Sequence, residues 1–176
     1  DFLKNSHIII WTTTPWTIPV NRALAYSDKI KYSVIKIGED TENFKNKNIV
    51  IASELVKKVS EECKFKNFKI LNEFSGSEFK NTICHHPLKN MGYEYDVPML
   101  EGNFVTLEQG TGIVHSAPSH GPDDFNLCLK HGIKASNTIT DGGLYSEEIP
   151  FFSGTHIFKA DNQVIEKLLE HKSLLS

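Results

Sequence analysis

Apolar and β-branched residues recur along this chain in short runs, each stopped by Gly, Pro, Asn or Asp. The runs are "HIIIWTT" (7–13), "YSVIKI" (32–37), "NIVIA" (48–52), "FKNFKIL" (65–71), "NFVTLE" (103–108) and "GIVHSA" (112–117), and each reads as a strand. Helical spacing appears in three places. After Ser53, a good N-cap, Leu55, Val56, Val59 and Cys63 fall on one stripe. From Pro122 to Gly132, Phe125, Cys128 and Leu129 are expected to face inward. From about Asp161, Val164, Ile165, Leu168 and Leu169 form the third stripe. Two long irregular pieces, 73–101 and 133–157, are dense in Gly, Pro, Asn and Ser, and loops of that length tend to cover or build a site.

Many short strands without regular β-α alternation predict a mixed α/β, β-rich fold: a closed β-barrel or strongly curved sheet of about six strands, with peripheral helices. At 176 residues the chain suits one domain, spanning 1–176. Hydrophobic residues at 39% and charged residues at 23% are those of a water-soluble globular protein, and no apolar run approaches the length of a membrane span. The chain opens "DFLKNSHIII", almost directly on a strand and without an initiator methionine, which suggests a domain cut from a larger protein. Cys63, Cys84 and Cys128 form no CxxC pair, so a reducing cytoplasm is the simplest home. A net charge of −3, with Arg22 the only arginine, excludes binding to nucleic acid by charge alone. It leaves room for local binding of a nucleic acid's end. The lysines at 57, 58, 64, 66 and 69 read as a solvated helix face and its exit.

Two stretches carry candidate chemistry. In "WTTTPWTIPVN" (11–21), strand alternation puts Thr12 and Thr14 on one side and Thr13 on the other. Pro15 then forces a turn, with Trp16 and Thr17 upon it. Hydroxyls and freed backbone N–H groups are thereby aimed at one pocket, although β-branched threonines suit a strand end in any case. In "QGTGIVHSAPSHGPDDFNLCLKHG" (109–132), a strand delivers His115, a Pro-containing loop carries His120, and a helix opens with Asp123 and Asp124. Carboxylates in a first helical turn suit the macrodipole, and there one stays ionised for a cationic ligand. His115, His120 and Asp124 could converge on zinc, but helical ligand spacing and a nearby cysteine are lacking. "CHHP" (84–87) reads as a loop packed on the core. The chain has no P-loop, GxGxxG or GxSxG motif.

Together, "WTTTPWTIPVNRALAY" and "GTGIVHSAPSHGPDDF" resemble the editing insertion of isoleucyl-tRNA synthetases, a family of class I aminoacyl-tRNA synthetases. "HHPL" (85–88) and "GTHIFKADNQVIEKLLEH" (154–171) follow in the family's order. Sister editing domains carry arginine after the paired threonines, "TTRPET" in the valyl and "TTRPDT" in the leucyl type; Thr14 and Trp16 favour the isoleucyl type. Ser119 departs from the family's frequent "APGHG". The resemblance implies a closed barrel with peripheral helices, and hydrolysis of valine misattached to the tRNA(Ile) 3′ end, with isoleucyl-tRNA spared and valyl-adenylate a second candidate substrate. It implies no cofactor in this domain; ATP serves the aminoacylation site of the full-length synthetase, the rest of whose chain is the other partner. Asp124 would hold the substrate's α-ammonium, and His115 would line the side-chain pocket. Thr12, Thr13, Thr14 and Thr17 would surround the adenosine and ester, supported by Trp16 and Asn21. A tRNA-end binding module without hydrolysis, a valyl or leucyl type of editing domain, and a metal-dependent hydrolase are the alternatives.

Overall fold

The computed structural model describes residues 2–39, 41 and 44–176. Strands β1 (Ser6–Ile8), β2 (Ala23–Tyr26), β3 (Lys31–Ile37), β4 (Asn48–Ala52), β5 (Phe68–Ser75), β6 (Ile83–His85), β7 (Asp96–Glu101) and β8 (Val114–Ser116) are joined by helices α1 (Val56–Glu62), α2 (Pro122–Lys130) and α3 (Ile157–Glu170). The strands form two four-stranded sheets, ordered β1-β4-β3-β5 and β6-β7-β2-β8. Parallel pairs β1/β4 and β2/β7 sit among antiparallel ones. The fold is thus mixed α/β and rich in strand, as the sequence predicts. Among the described residues, however, no ladder joins the two sheets into a closed six-stranded barrel; side chains, not backbone pairs, fill the space between them.

That filling begins with β3 and β4, which are buried on both faces along most of their length. Val34, Ile35, Ile49, Val50 and Ile51 are nearly or fully buried, and Phe74 and Phe79 pack against Tyr32 in the same core. A second cluster joins Ile18 and Val20 to Leu88, Tyr93, Tyr145, Phe152 and the inner face of α3, namely Ala160, Val164 and Leu168. It fastens the threonine turn to α3. A third, smaller cluster holds α2 through Leu127 and Cys128.

Several expected boundaries move, each for a local reason. The 7–13 run stays in a ladder only through β1; beyond it the Ile9 carbonyl accepts the Thr111 hydroxyl at 2.6 Å, and the Thr14 N–H turns back to Thr12 Oγ1 at 3.0 Å. Residues 103–108 form turns after Gly102, whose N–H bonds the Tyr26 carbonyl at 2.8 Å. The strand of that region is β7, inside a piece expected to be irregular; Val97, Met99 and Leu100 bury it despite Pro98. On α2, Phe125 and Leu129 are exposed and Leu127 with Cys128 is buried, a stripe rotated from the expected one. Helix α3 starts earlier than Asp161, because His156 Nδ1 caps it by accepting the Phe158 N–H at 3.2 Å.

Candidate functional site

The chain after Ile10 leaves the sheet and winds into a short 3₁₀ helix, Pro15–Val20, with Pro15 at its first position. Within this turn the hydroxyls line up. Thr12 Oγ1 lies 3.2 Å from Thr14 Oγ1, which lies 3.4 Å from Thr17 Oγ1. Thr17 Oγ1 in turn meets His115 Nε2 at 3.0 Å. The direction of this chain follows from counting protons. Thr17 gives its only hydroxyl proton to the Thr14 carbonyl at 2.8 Å, so His115 must donate from Nε2 and Thr14 must donate onward to Thr17. Thr12 therefore donates to Thr14 and accepts the Thr14 N–H. Thr13 and Thr14 are exposed, while Thr17 is buried.

Residues distant in sequence hold this turn. The Trp16 N–H bonds Asp161 Oδ1 on α3 at 2.9 Å, and Tyr145 donates its hydroxyl proton to the Trp16 carbonyl. His86 Nε2 donates to the Ile18 carbonyl at 2.9 Å, accepts the Leu88 N–H on Nδ1 at 3.1 Å, and stacks on Tyr93 at 4.5 Å. The Tyr95 hydroxyl bonds the Asn21 carbonyl at 2.7 Å. Asp161 and Tyr145 escaped the sequence reading, for the contacts span 145 and 129 residues. The "CHHP" stretch is a loop only in part: Cys84 and His85 pair in β6 with β7, His85 is exposed, and His86 alone packs beneath the threonine turn.

His115 comes from β8, opposite Leu24 of β2. Burial holds its pKa down to about 4, and holds that of His86 there too. Both rings are therefore neutral at neutral pH. His115 Nδ1 is buried without a hydrogen-bond partner among the described residues, and so is Asn21 Oδ1. His115, Asn21, Thr12, Pro15, Ile18 and Trp11 all line one large cavity of about 1800 Å³ that continues along the molecule.

Asp124 occupies the first turn of α2, beyond the Pro122 that opens it. The Asp124 carboxylate packs back over the bare Gly121 backbone, where an added Cβ would stand 2.8 Å from Oδ2. Burial pushes the Asp124 carboxyl above its ordinary range, and Asp123 adds to this; Ser116 and the Ala117 backbone partly offset it. The helix start alone thus does not keep it as readily ionised as its position predicts. The neighbours in question directly follow His115 in the chain. The loop between them places His120 against Thr138 Oγ1 at 2.8 Å and edge-on to Trp16, 5.0 Å between ring centroids. Ser119, the departure from the family pattern, bonds the Ser136 carbonyl at 2.7 Å and so pins the 133–157 segment to the loop.

Thr12, Thr14, Thr17 and His115 are therefore joined directly, Asn21 lines the same cavity as Thr12 and His115, Trp16 lies on the turn itself, and Asp124 lies against Ser116 and the Ala117 backbone. Among the described residues no group of three or more His, Cys, Asp or Glu side chains could hold a metal ion, and no helix is long and apolar enough to cross a membrane. A family model described as "Leucyl-tRNA synthetase, editing domain" matches residues 21–163. The chain belongs to that editing-domain family. In sequence it is similar to the isoleucine–tRNA ligase of Pelagibacter ubique, 58% identical over 99% of this chain and 19% of that protein. The isoleucine–tRNA ligase of Gluconobacter oxydans is 45% identical over 96% of this chain and 18% of its own length. The chain thus spans about a fifth of the length of these relatives. In fold it is similar to the crystal structure of GlLeuRS-CP1, with a TM-score of 0.74 at 15% identity, covering 98% of this chain and 84% of that one. The P. knowlesi cytosolic leucyl-tRNA synthetase editing domain is also similar, with a TM-score of 0.61 at 10% identity over 96% and 82% of the two chains. The editing domain carries its isoleucyl signature in sequence, and its architecture is common to the leucyl examples.

Proposed function

We propose that this editing domain is an aminoacyl-tRNA deacylase, hydrolysing valine misattached to the 3′ end of tRNA(Ile) and sparing isoleucyl-tRNA, as part of a cytoplasmic isoleucine–tRNA ligase. The observation that carries this reading is the hydroxyl chain from Thr12 to Thr17, ending on a neutral His115 at the edge of one cavity. Valine lacks one methylene of isoleucine, and a hydrophobic pocket rejects it by only ~1–3 kcal/mol, a limit for which this enzyme's isoleucine–valine problem is the established instance. A second, smaller sieve removes what the first site admits.

On this reading water attacks the ester carbonyl directly. Asp124 accepts a charge-assisted hydrogen bond from the α-ammonium and fixes the carbonyl for attack. Exposed Thr13, with backbone N–H groups of the turn, stabilises the developing oxyanion, and Thr14, whose own proton goes to Thr17, accepts from a ribose hydroxyl. Thr17 and His115 cannot offer a spare proton to the ester, since each already donates within the turn. They shape the pocket, and Trp16 and Asn21 support it.

Incubating the chain with valyl-tRNA, with and without EDTA, tests this. Hydrolysis insensitive to the chelator is expected, with Thr14→Ala slowing it about tenfold or more. RNA binding without hydrolysis would establish a binding module instead, and activity lost to EDTA a metal enzyme.

His115 offers a test of selectivity. Removing its ring opens a void beside Thr17, and fitting one methylene there is worth only ~1–3 kcal/mol. His115→Ala is therefore expected to begin hydrolysing isoleucyl-tRNA while still acting on valyl-tRNA, both measured on one preparation. Equal slowing of both esters would assign the ring to catalysis or structure, not to the sieve.

A further inference from the structure

Among the first three residues of the 3₁₀ helix Pro15–Val20, only Trp16 has an N–H that no backbone carbonyl accepts. Pro15 has no N–H to satisfy, and the Thr17 N–H bonds the Thr14 carbonyl at 2.9 Å. A threonine just before a helix ordinarily accepts the second or third N–H on its own hydroxyl. Thr14 occupies that place, and its side chain makes no such bond.

The acceptor comes from α3 instead. Asp161 Oδ1 takes the Trp16 N–H at 2.9 Å, across 145 positions of the chain. Among the described residues Asp161 joins no ion pair, so no cation fixes its carboxylate there. The turn itself has further supports. Tyr145, itself buried, donates to the Trp16 carbonyl, and the Trp16 ring meets His120 edge-on at 5.0 Å. Ile18 and Val20 share one buried cluster with Ala160, Val164 and Leu168 of α3. Loss of the Asp161 carboxylate would therefore leave the turn folded.

Counting protons and lone pairs shows what the distant cap achieves. A hydroxyl has one proton and two lone pairs. The Thr14 proton goes to Thr17, and one of its lone pairs takes the Thr12 proton, so a single lone pair remains. Capping Trp16 would occupy it. With Asp161 in that role, exposed Thr14 keeps one acceptor position for an incoming hydroxyl.

We propose that Asp161 caps the threonine turn in place of Thr14, and thereby keeps one Thr14 lone pair open to a substrate hydroxyl. Asp161 is a positioning residue, acting through Thr14 and touching no substrate itself. The assignment rests on the deacylase reading for what Thr14 meets; the exchange of caps does not depend on it.

Two measurements test it. The first is valyl-tRNA deacylation per folded molecule. Asp161→Ala is expected to slow it as Thr14→Ala does, about tenfold, because Thr14 turns its lone pair to the vacated Trp16 N–H. The double variant is expected to be no slower than either single one, since both lose the same lone pair. Asp161→Asn keeps a carbonyl oxygen in place and is expected to retain most of the rate. An unchanged rate in Asp161→Ala overturns the proposal, as do losses that multiply in the double variant or an Asp161→Asn as slow as the alanine variant. The second measurement is exchange of the Trp16 amide hydrogen, followed by NMR. Protection is expected to persist in Asp161→Ala and in Thr14→Ala and to be lost only in the double variant. Exchange as fast in Asp161→Ala as in the double variant overturns the proposal. A wild type that leaves valyl-tRNA intact counts against the deacylase reading, and amide exchange then decides the cap by itself.

Discussion

Asp124→Ala is expected to lower valyl-tRNA deacylation by about 10²–10³-fold, while the domain stays folded. The figure corresponds to roughly 2.7–4 kcal/mol, by analogy with removal of one preorganised transition-state donor. The effect is large because burial of the carboxylate is already present before substrate arrives. A cationic ammonium entering beside it restores the charge balance and lowers its pKa, which turns an unfavourable burial into binding. The same burial makes a second result expected. Removing the carboxylate relieves a partly desolvated charge, so the variant should be no less stable than the wild type at neutral pH. Asp124→Asn should lose nearly as much rate as the alanine variant, since it keeps the shape and loses the charge. Near-normal turnover in either variant would remove Asp124 from the site.

Acidification is expected to destabilise the domain between pH 6.5 and about 4, well before general acid unfolding. The sign follows from His86 and His115, whose pKa values are lowered from 6.5 to about 4 by burial. In that window the unfolded chain binds protons that the folded chain refuses, so stability falls as pH falls and is complete only above about 6.5. One pKa unit is about 1.4 kcal/mol, which sets a ceiling near ~3 kcal/mol for each ring. The two rings also act on each other, so their contributions do not simply add. His7 and His120 are shifted in the same direction, and Asp124, whose pKa is raised, opposes them. The structural reason is specific. Protonating His86 breaks its acceptance of the Leu88 N–H, and protonating His115 places a buried N–H where no acceptor lies. Urea unfolding at pH 7.5, 5.5 and 4.5 measures the slope, and His86→Gln, which takes no proton, should flatten it. Constant stability across that range would show that neither ring stays neutral.

How much of this was legible depends on the range of the interaction concerned. The strands β3 and β4 follow from short β-branched apolar runs, and helix α2 from Pro122 and Gly132, all of which act within a few residues. The candidate residues were legible as well, because two short motifs concentrate hydroxyls, histidines and carboxylates at chain turns. The stripe on α2 was misjudged because its apolar residues are spread around the helix, and only the sheet packed against it selects Leu127 over Phe125. Likewise β7 stayed hidden behind Pro98 until pairing with β2 and burial of Val97 and Met99 outweighed the missing donor.

The sequence by itself determined the family signature, the strand-rich class and the identity of the hydroxyl and carboxylate groups, all properties of contiguous residues. Tertiary structure alone decided that two sheets form where a barrel was expected, since sheet closure depends on pairings between distant strands. It alone decided that Thr17 meets His115 across 98 residues, and that Asp161, Tyr145 and His86 grip the turn from behind. A motif specifies which groups are available; the proton each one has left to give depends on partners that only the folded chain brings within hydrogen-bonding distance.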